Sequence, residues 1–178
     1  GLIGDRAGLP MVFAAIAALF WWNQGKARAE ALVPRIQTLA AQGKYSAAYL
    51  LAKQARRHLA EDSAFRTAFT DVTNEISVTS EPPGARVYIA MFGDSTVADS
   101  SDGTLIGTTP VRQYVTARGD YRVVVNAPGY DPARRIASRF LTPSEGLSAT
   151  SRSIALDVRL SRTGSVPAAM VAIPGGQY

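Results

Sequence analysis

The sequence predicts an α+β chain in several parts: an N-terminal transmembrane helix, a helical hairpin stalk, and a small all-β antiparallel sandwich. Three observations carry this prediction. An uncharged apolar run lies near the start, an apolar period of three and four follows it, and alternation with frequent turn residues fills the second half.

The first element is the run of 19 uncharged residues, 7–25, between Arg6 and Lys26. As a helix it would extend ~28 Å, close to the ~30 Å thickness of a bilayer's hydrocarbon core. Trp21, Trp22 and Asn23 fall where a membrane–water interface would lie, and Lys26 and Arg28 at headgroup level. The lipid bilayer is therefore an expected partner through residues 7–25, and the bacterial cytoplasmic (inner) membrane the expected location, with a single pass. A buried helix and a cleaved signal peptide are the rival readings. The visible charges, Arg6 on one side and Lys26, Arg28 and Arg35 on the other, would hold the C-terminal side in the cytoplasm.

Residues 26–72 form the second part. Leu32, Ile36, Leu39 and Ala40 share a helical face, and Pro34 starts or kinks that helix. Gln42-Gly43-Lys44 breaks the pattern. Tyr45, Ala48, Tyr49, Ala52, Ala55 and Leu59 then define a second helix, and Asp62 or Ser63 caps a short third one carrying Phe65 and Phe69. The Gly43-Lys44-Tyr45 junction is similar to that of a tetratricopeptide-like hairpin, but a single unit falls short of the roughly three repeats a stable array needs.

From Glu75 the period is two. Ile76 and Val78 alternate with Ser77 and Thr79; Val87, Ile89 and Met91 with Tyr88, Ala90 and Phe92. Further strands are expected near Leu105, over 111–115, at Tyr121, Val123 and Val125, at Ile136, Ser138 and Phe140, and at Ile154, Leu156, Val158 and Leu160. Turns are expected at Pro82-Pro83-Gly84, Gly107-Thr108-Thr109-Pro110, Arg118-Gly119-Asp120 and Pro128-Gly129-Tyr130, with a long polar loop over 93–103. Six or seven short strands in 75–161 predict an antiparallel sandwich. A linker is expected over 162–169. Gly1 and Tyr178 are expected to be cuts in a longer polypeptide, residues 170–178 being the truncated start of a following domain.

Several function classes are excluded by residue counts. With no cysteine there are no disulfides, thiolate nucleophiles or cysteine-ligated metals, and the single His58 leaves no histidine metal site or Ser-His-Asp triad within the chain. The net charge is +5, without a basic stripe interleaved with aromatics, so no nucleic-acid partner is expected. Attraction to acidic lipid headgroups beside the span accounts for the excess. Asp94, Asp99, Asp102 and Gly103 lack the regular spacing and terminal glutamate of a calcium loop. Arg56, Arg57 and His58 suit a helix C-terminus, where cations complement the dipole. Arg134 and Arg135 could meet an anionic glycan or lipid, though an exposed strand face accounts for them. No catalytic, cofactor-binding or metal residue is expected, and no enzyme activity.

Pro83-Gly84-Ala85, Val87-Tyr88-Ile89, Gly107-Thr108-Thr109-Pro110, Gly119-Asp120-Tyr121 and Gly129-Tyr130 occur in the order found in PEGA domains, which the β region resembles over roughly half the chain. Pro83 stands where that signature has glutamate, and the 93–103 loop replaces a tight hairpin. The resemblance implies a membrane-tethered bacterial surface protein whose β module makes extracytoplasmic contacts with a cell-envelope polymer or a protein. Residues 170–178 resemble the opening strand of the formylglycine-generating enzyme family. Together these features are similar to bacterial membrane-tethered kinases with such a C-terminal domain, which implies a kinase before Gly1 and an extracytoplasmic module, against the charge count. The expected role is a non-catalytic spacer and binding module. The alternative is the connector of a larger enzyme, a membrane-tethered kinase or a formylglycine-generating-type oxidase.

Overall fold

The computed structural model describes residues 8–93, 103–139 and 152–165. The chain divides into two compact units, residues 1–72 and 73–178. Among the described residues the first is helical and the second is built of strands.

The helical unit contains α1 (Gly8–Glu30), α2 (Leu32–Ala41), α3 (Tyr45–Leu59) and α4 (Ser63–Asp71). Helix α2 ends in a Schellman turn: Lys44 N–H donates to the Leu39 carbonyl, Gly43 N–H to that of Ala40, and Gly43 takes φ +72°. Its left-handed conformation is why a glycine separates α2 from α3. Helix α4 is capped by Asp62, whose carboxylate accepts from Phe65 N–H at 2.8 Å. Ala48, Ala52, Ala55 and Leu59 form the buried stripe of α3 and share a core with Ala29, Ile36, Phe65, Ala68 and Val72. The small side chains on α3 allow α1 and α2 to approach it closely.

The expected membrane span over residues 7–25 is corrected. Among the described residues, no helix is long and apolar enough to cross a membrane. Lack of charge is not hydrophobicity: the unbroken apolar stretch is residues 11–22, about 18 Å of helix against the ~30 Å required. Asn23 and Gln24 follow in the same helix. Ala29, near its C-terminal end, is buried in the helical core. The anchor expected over residues 7–25 falls with that span.

The β unit has seven strands: β1 (Thr73–Glu81), β2 (Arg86–Met91), β3 (Thr104–Thr108), β4 (Val111–Ala117), β5 (Tyr121–Asn126), β6 (Ala133–Ala137) and β7 (Ser153–Arg159). They form a three-stranded sheet in the order β4-β1-β7 and a four-stranded sheet in the order β3-β2-β5-β6. Between the sheets lie Ile76, Val78, Val87, Ile89, Val123, Val125, Ile154 and Val158, all buried. Strand β3 lies beside β4, and β6 beside β7, at the two seams.

The all-antiparallel expectation is also corrected. Strand β7 pairs parallel to β1, from Glu75 opposite Ser153 to Glu81 opposite Arg159. Parallel neighbours need a long crossover, and here the crossover contains the whole four-stranded sheet. Alternation marks which side of a strand is buried but not which neighbour it takes or in which direction. A bulge in β4 sets Arg112 and Gln113 opposite the single residue Ser77 of β1; within it Gln113 adopts φ +50° and donates its N–H to Ser77 Oγ at 3.1 Å.

Candidate functional site

The turn residues that stand out in the sequence are consumed in holding the sandwich together. Ala85 N–H donates to Thr109 Oγ1 at 3.0 Å, Thr109 Oγ1 lies 2.6 Å from Ser80 Oγ, and Ser80 Oγ donates to the Pro82 carbonyl at 2.7 Å. With Ser80 donating to Pro82, the Thr109 hydroxyl donates to Ser80, so one polarised relay joins the two turns. Gly84 N–H to the Thr109 carbonyl and Thr109 N–H to the Ala85 carbonyl add backbone bonds at 3.0 and 2.9 Å. Near the opposite end of β1, Tyr121 Oη donates to the Ala117 carbonyl and accepts from Thr116 Oγ1. These hydroxyls are structural and present nothing to a ligand.

Sheet register builds a different kind of surface on the outer face of the four-stranded sheet. Val87 pairs with Val125 and Ile89 with Val123, and these four point to the core. The intervening residues therefore point outward. Tyr88, Val124 and Arg134 form one cross-strand row, extended by Leu105 opposite Tyr88. Ala90, Arg122 and Ile136 form the next, and Arg86 and Asn126 the row before. Leu105 and Ile136 are 54% and 48% exposed, and Arg86 and Arg134 are exposed. Val124 is 1% exposed although its register position faces away from the core.

The charge on this face is of one sign. Strands β2, β3, β5 and β6 carry Arg86, Arg122, Arg134 and Arg135 and no acidic residue. The acids on the strands of the other sheet are matched: Glu75 pairs with Arg152 at 2.6 Å, Glu81 with Arg159 at 3.0 Å, and Asp157 accepts from Thr79; Asp120 and Asp131 lie in the turns on either side of β5. Arg135 pairs in register with Val123, so it lies on the core side of the edge strand and donates to the Arg134 carbonyl. Of the two arginines singled out in β6, only Arg134 thus belongs to the outer face.

In the helical unit, the Arg56-Arg57-His58 cluster is used in packing as well as at a helix end. Arg56 lies over the Phe69 ring at 5.4 Å, and the His58 ring meets Trp22 edge-on with centroids 5.1 Å apart. Gly25 lets the two helices approach here, since a Cβ would strike the His58 ring. Trp22, Lys26, Arg57, His58, Glu61 and Asp62 surround a cleft of about 410 Å³. Its charges are of both signs and converge on no single point. Phe13, Leu19, Phe20 and Trp21 of α1 are more than half exposed. Among the described residues, no three His, Cys, Asp or Glu side chains are grouped as a metal site would need. The Asp94-Asp99-Asp102 segment and residues 170–178 lie outside the described residues.

Sequence patterning alone did not find the outer face. The alternation gave its strands, but which four of them share a sheet fixes which arginines are neighbours.

Residues 73–140 match the family model of the PEGA domain. No curated protein and no solved structure matches the chain.

Proposed function

We propose that the PEGA domain serves as a non-catalytic contact module, held by the helical unit as a spacer, and that it works outside the bacterial cytoplasm against a cell-envelope polymer. The observation that supports this reading is the outer face of the four-stranded sheet. It combines arginines, a tyrosine and exposed aliphatic side chains on neighbouring strands that carry no acidic residue. The polar groups of the turns are engaged in the fold, so this face is what the module has to offer a partner.

Such a module acts by geometry rather than by reaction. Strands fix the spacing of the side chains, and little ordering entropy is lost on contact. The test is co-sedimentation of the full chain with purified, insoluble bacterial cell-wall sacculi. Chain in the pellet at moderate salt supports the reading; chain left in the supernatant at every salt concentration refutes it.

A further inference from the structure

We infer that α1 pairs with α1 of a second copy of this chain, in parallel and in register, through Phe13, Ile16, Leu19 and Phe20. This goes beyond the contact-module reading and does not rest on it.

The four residues are 65%, 57%, 68% and 62% exposed. At about 100° per residue they fall within an arc of about 120° on the helix. That arc points away from the chain's own helical core, which α1 meets through Trp22, Gly25 and Ala29. Outside the arc, Ala14, Ala15 and Ala17 are small, and Trp21 is the one large exposed residue among those described that has no place on it. Phe13, Ile16 and Phe20 follow at intervals of three and four, the spacing of a two-helix seam. Asn23 and Ala27 continue the spacing without a charge.

The area suits a second copy. The two phenylalanines leave about 250 Å² of each chain exposed. With Ile16 and Leu19 the patch passes the few hundred Å² that a monomer commonly leaves open. Two copies of it, with Asn23 and Ala27 alongside, come to the ~1,000 Å² that a specific interface needs. In a parallel pair Asn23 stands beside its own copy, amide to amide. An antiparallel pair would set it against apolar side chains, at a cost in unmade hydrogen bonds.

A lipid surface fits less well. The helix is not long and apolar enough to cross a membrane. A helix lying in the headgroup layer needs a charged face opposite its apolar one, and residues 11–22 carry no charge on any side.

The experiment measures the mass of the full chain in detergent-free buffer by sedimentation equilibrium over a range of concentrations. A closed dimer is expected. Phe13→Glu/Phe20→Glu is expected to raise its dissociation constant at least about a hundredfold, the scale of losing two large apolar contacts. Ala14→Glu/Trp21→Glu puts the same charges, at the same spacing, on exposed positions outside the arc and is expected to change it less than about threefold. The chain has no cysteine, so Ile16→Cys supplies a single thiol. Mild oxidation with copper phenanthroline should join it to its copy's, while Ala14→Cys should stay unjoined; this readout does not depend on how the glutamate pairs fold.

A monomer at every concentration, a polydisperse mass, or equal losses in the two glutamate pairs would overturn the pairing. So would a chain that is monomeric in buffer and floats with vesicles of acidic phospholipid, which would assign the arc to a lipid surface. A dimer that joins through Ala14→Cys as readily as through Ile16→Cys, or through neither, would overturn the parallel seam.

Discussion

Arg139 Nε donates to Asn74 Oδ1 at 2.6 Å, and Arg139 Nη2 donates to the Thr73 carbonyl at the same distance. Asn74 is fully buried and passes the connection on, its own amide donating to the Gly119 carbonyl at 2.8 Å. One asparagine at the start of β1 thus joins Arg139, two residues past β6, to the β4–β5 turn. Asn74→Ala removes both contacts and leaves a partly buried guanidinium short of an acceptor. The expected loss is about 2–3 kcal/mol of stability, measured by urea unfolding of the full chain and assigned to the β unit by its far-UV signal.

The hydroxyl relay at the turns makes a sharper comparison. Thr109→Val preserves shape and deletes the oxygen to which Ala85 N–H donates. A loss of about 1–3 kcal/mol is expected from the stranded donor. Thr109→Ser restores the oxygen and should recover most of it. If valine and serine variants unfold at the same urea concentration, the relay contributes nothing.

Two glycines with positive φ should differ for a stated reason. Gly129, at φ +80°, has open space where a Cβ would be, so Gly129→Ala should cost about 1 kcal/mol from backbone conformation alone. Gly103, at φ +96°, would place that Cβ on the Ile89 carbonyl oxygen. Gly103→Ala should therefore cost clearly more, upwards of about 2 kcal/mol. Thermal melts of the two variants side by side decide it.

The family match ends at residue 140, before β7. A chain ending at residue 150 lacks Ile154 and Val158, both buried, and leaves one side of β1 unpaired. It should lose the cooperative melt of the β unit, while the α-helical signal persists. A melt like that of the full chain would show that β7 is dispensable.

Much of this fold is legible in the sequence where burial on one side alternates with exposure on the other. Ile76, Val78, Val87, Ile89, Val123 and Val125 are core residues, and alternation marks each of them. Ile136 shows the limit: β6 is an edge strand, and its exposed outward isoleucine and core-side Ala137 put the phase one residue away from what size suggests. The parallel β1–β7 pairing was not legible, because strand order depends on contacts between distant residues. Nor was the single-signed face, whose arginines lie on three strands and meet only in the folded sheet. Residues 7–25 misled because an absence of charge hides the polar Asn23 and Gln24.

The parallel closure also sets a timetable for the nascent chain. Strand β1 leaves the ribosome first, yet its partner on one side trails it by 78 residues, the separation of Glu81 and Arg159. At elongation rates of roughly 5 to 20 residues per second this is about 4 to 16 s. During that interval a strand rich in β-formers keeps an open hydrogen-bonding edge, the kind of surface on which neighbouring chains on a polysome can pair. The lifetime of that open edge is therefore set by the order in which the sandwich is synthesised, and it ends only when β7 emerges.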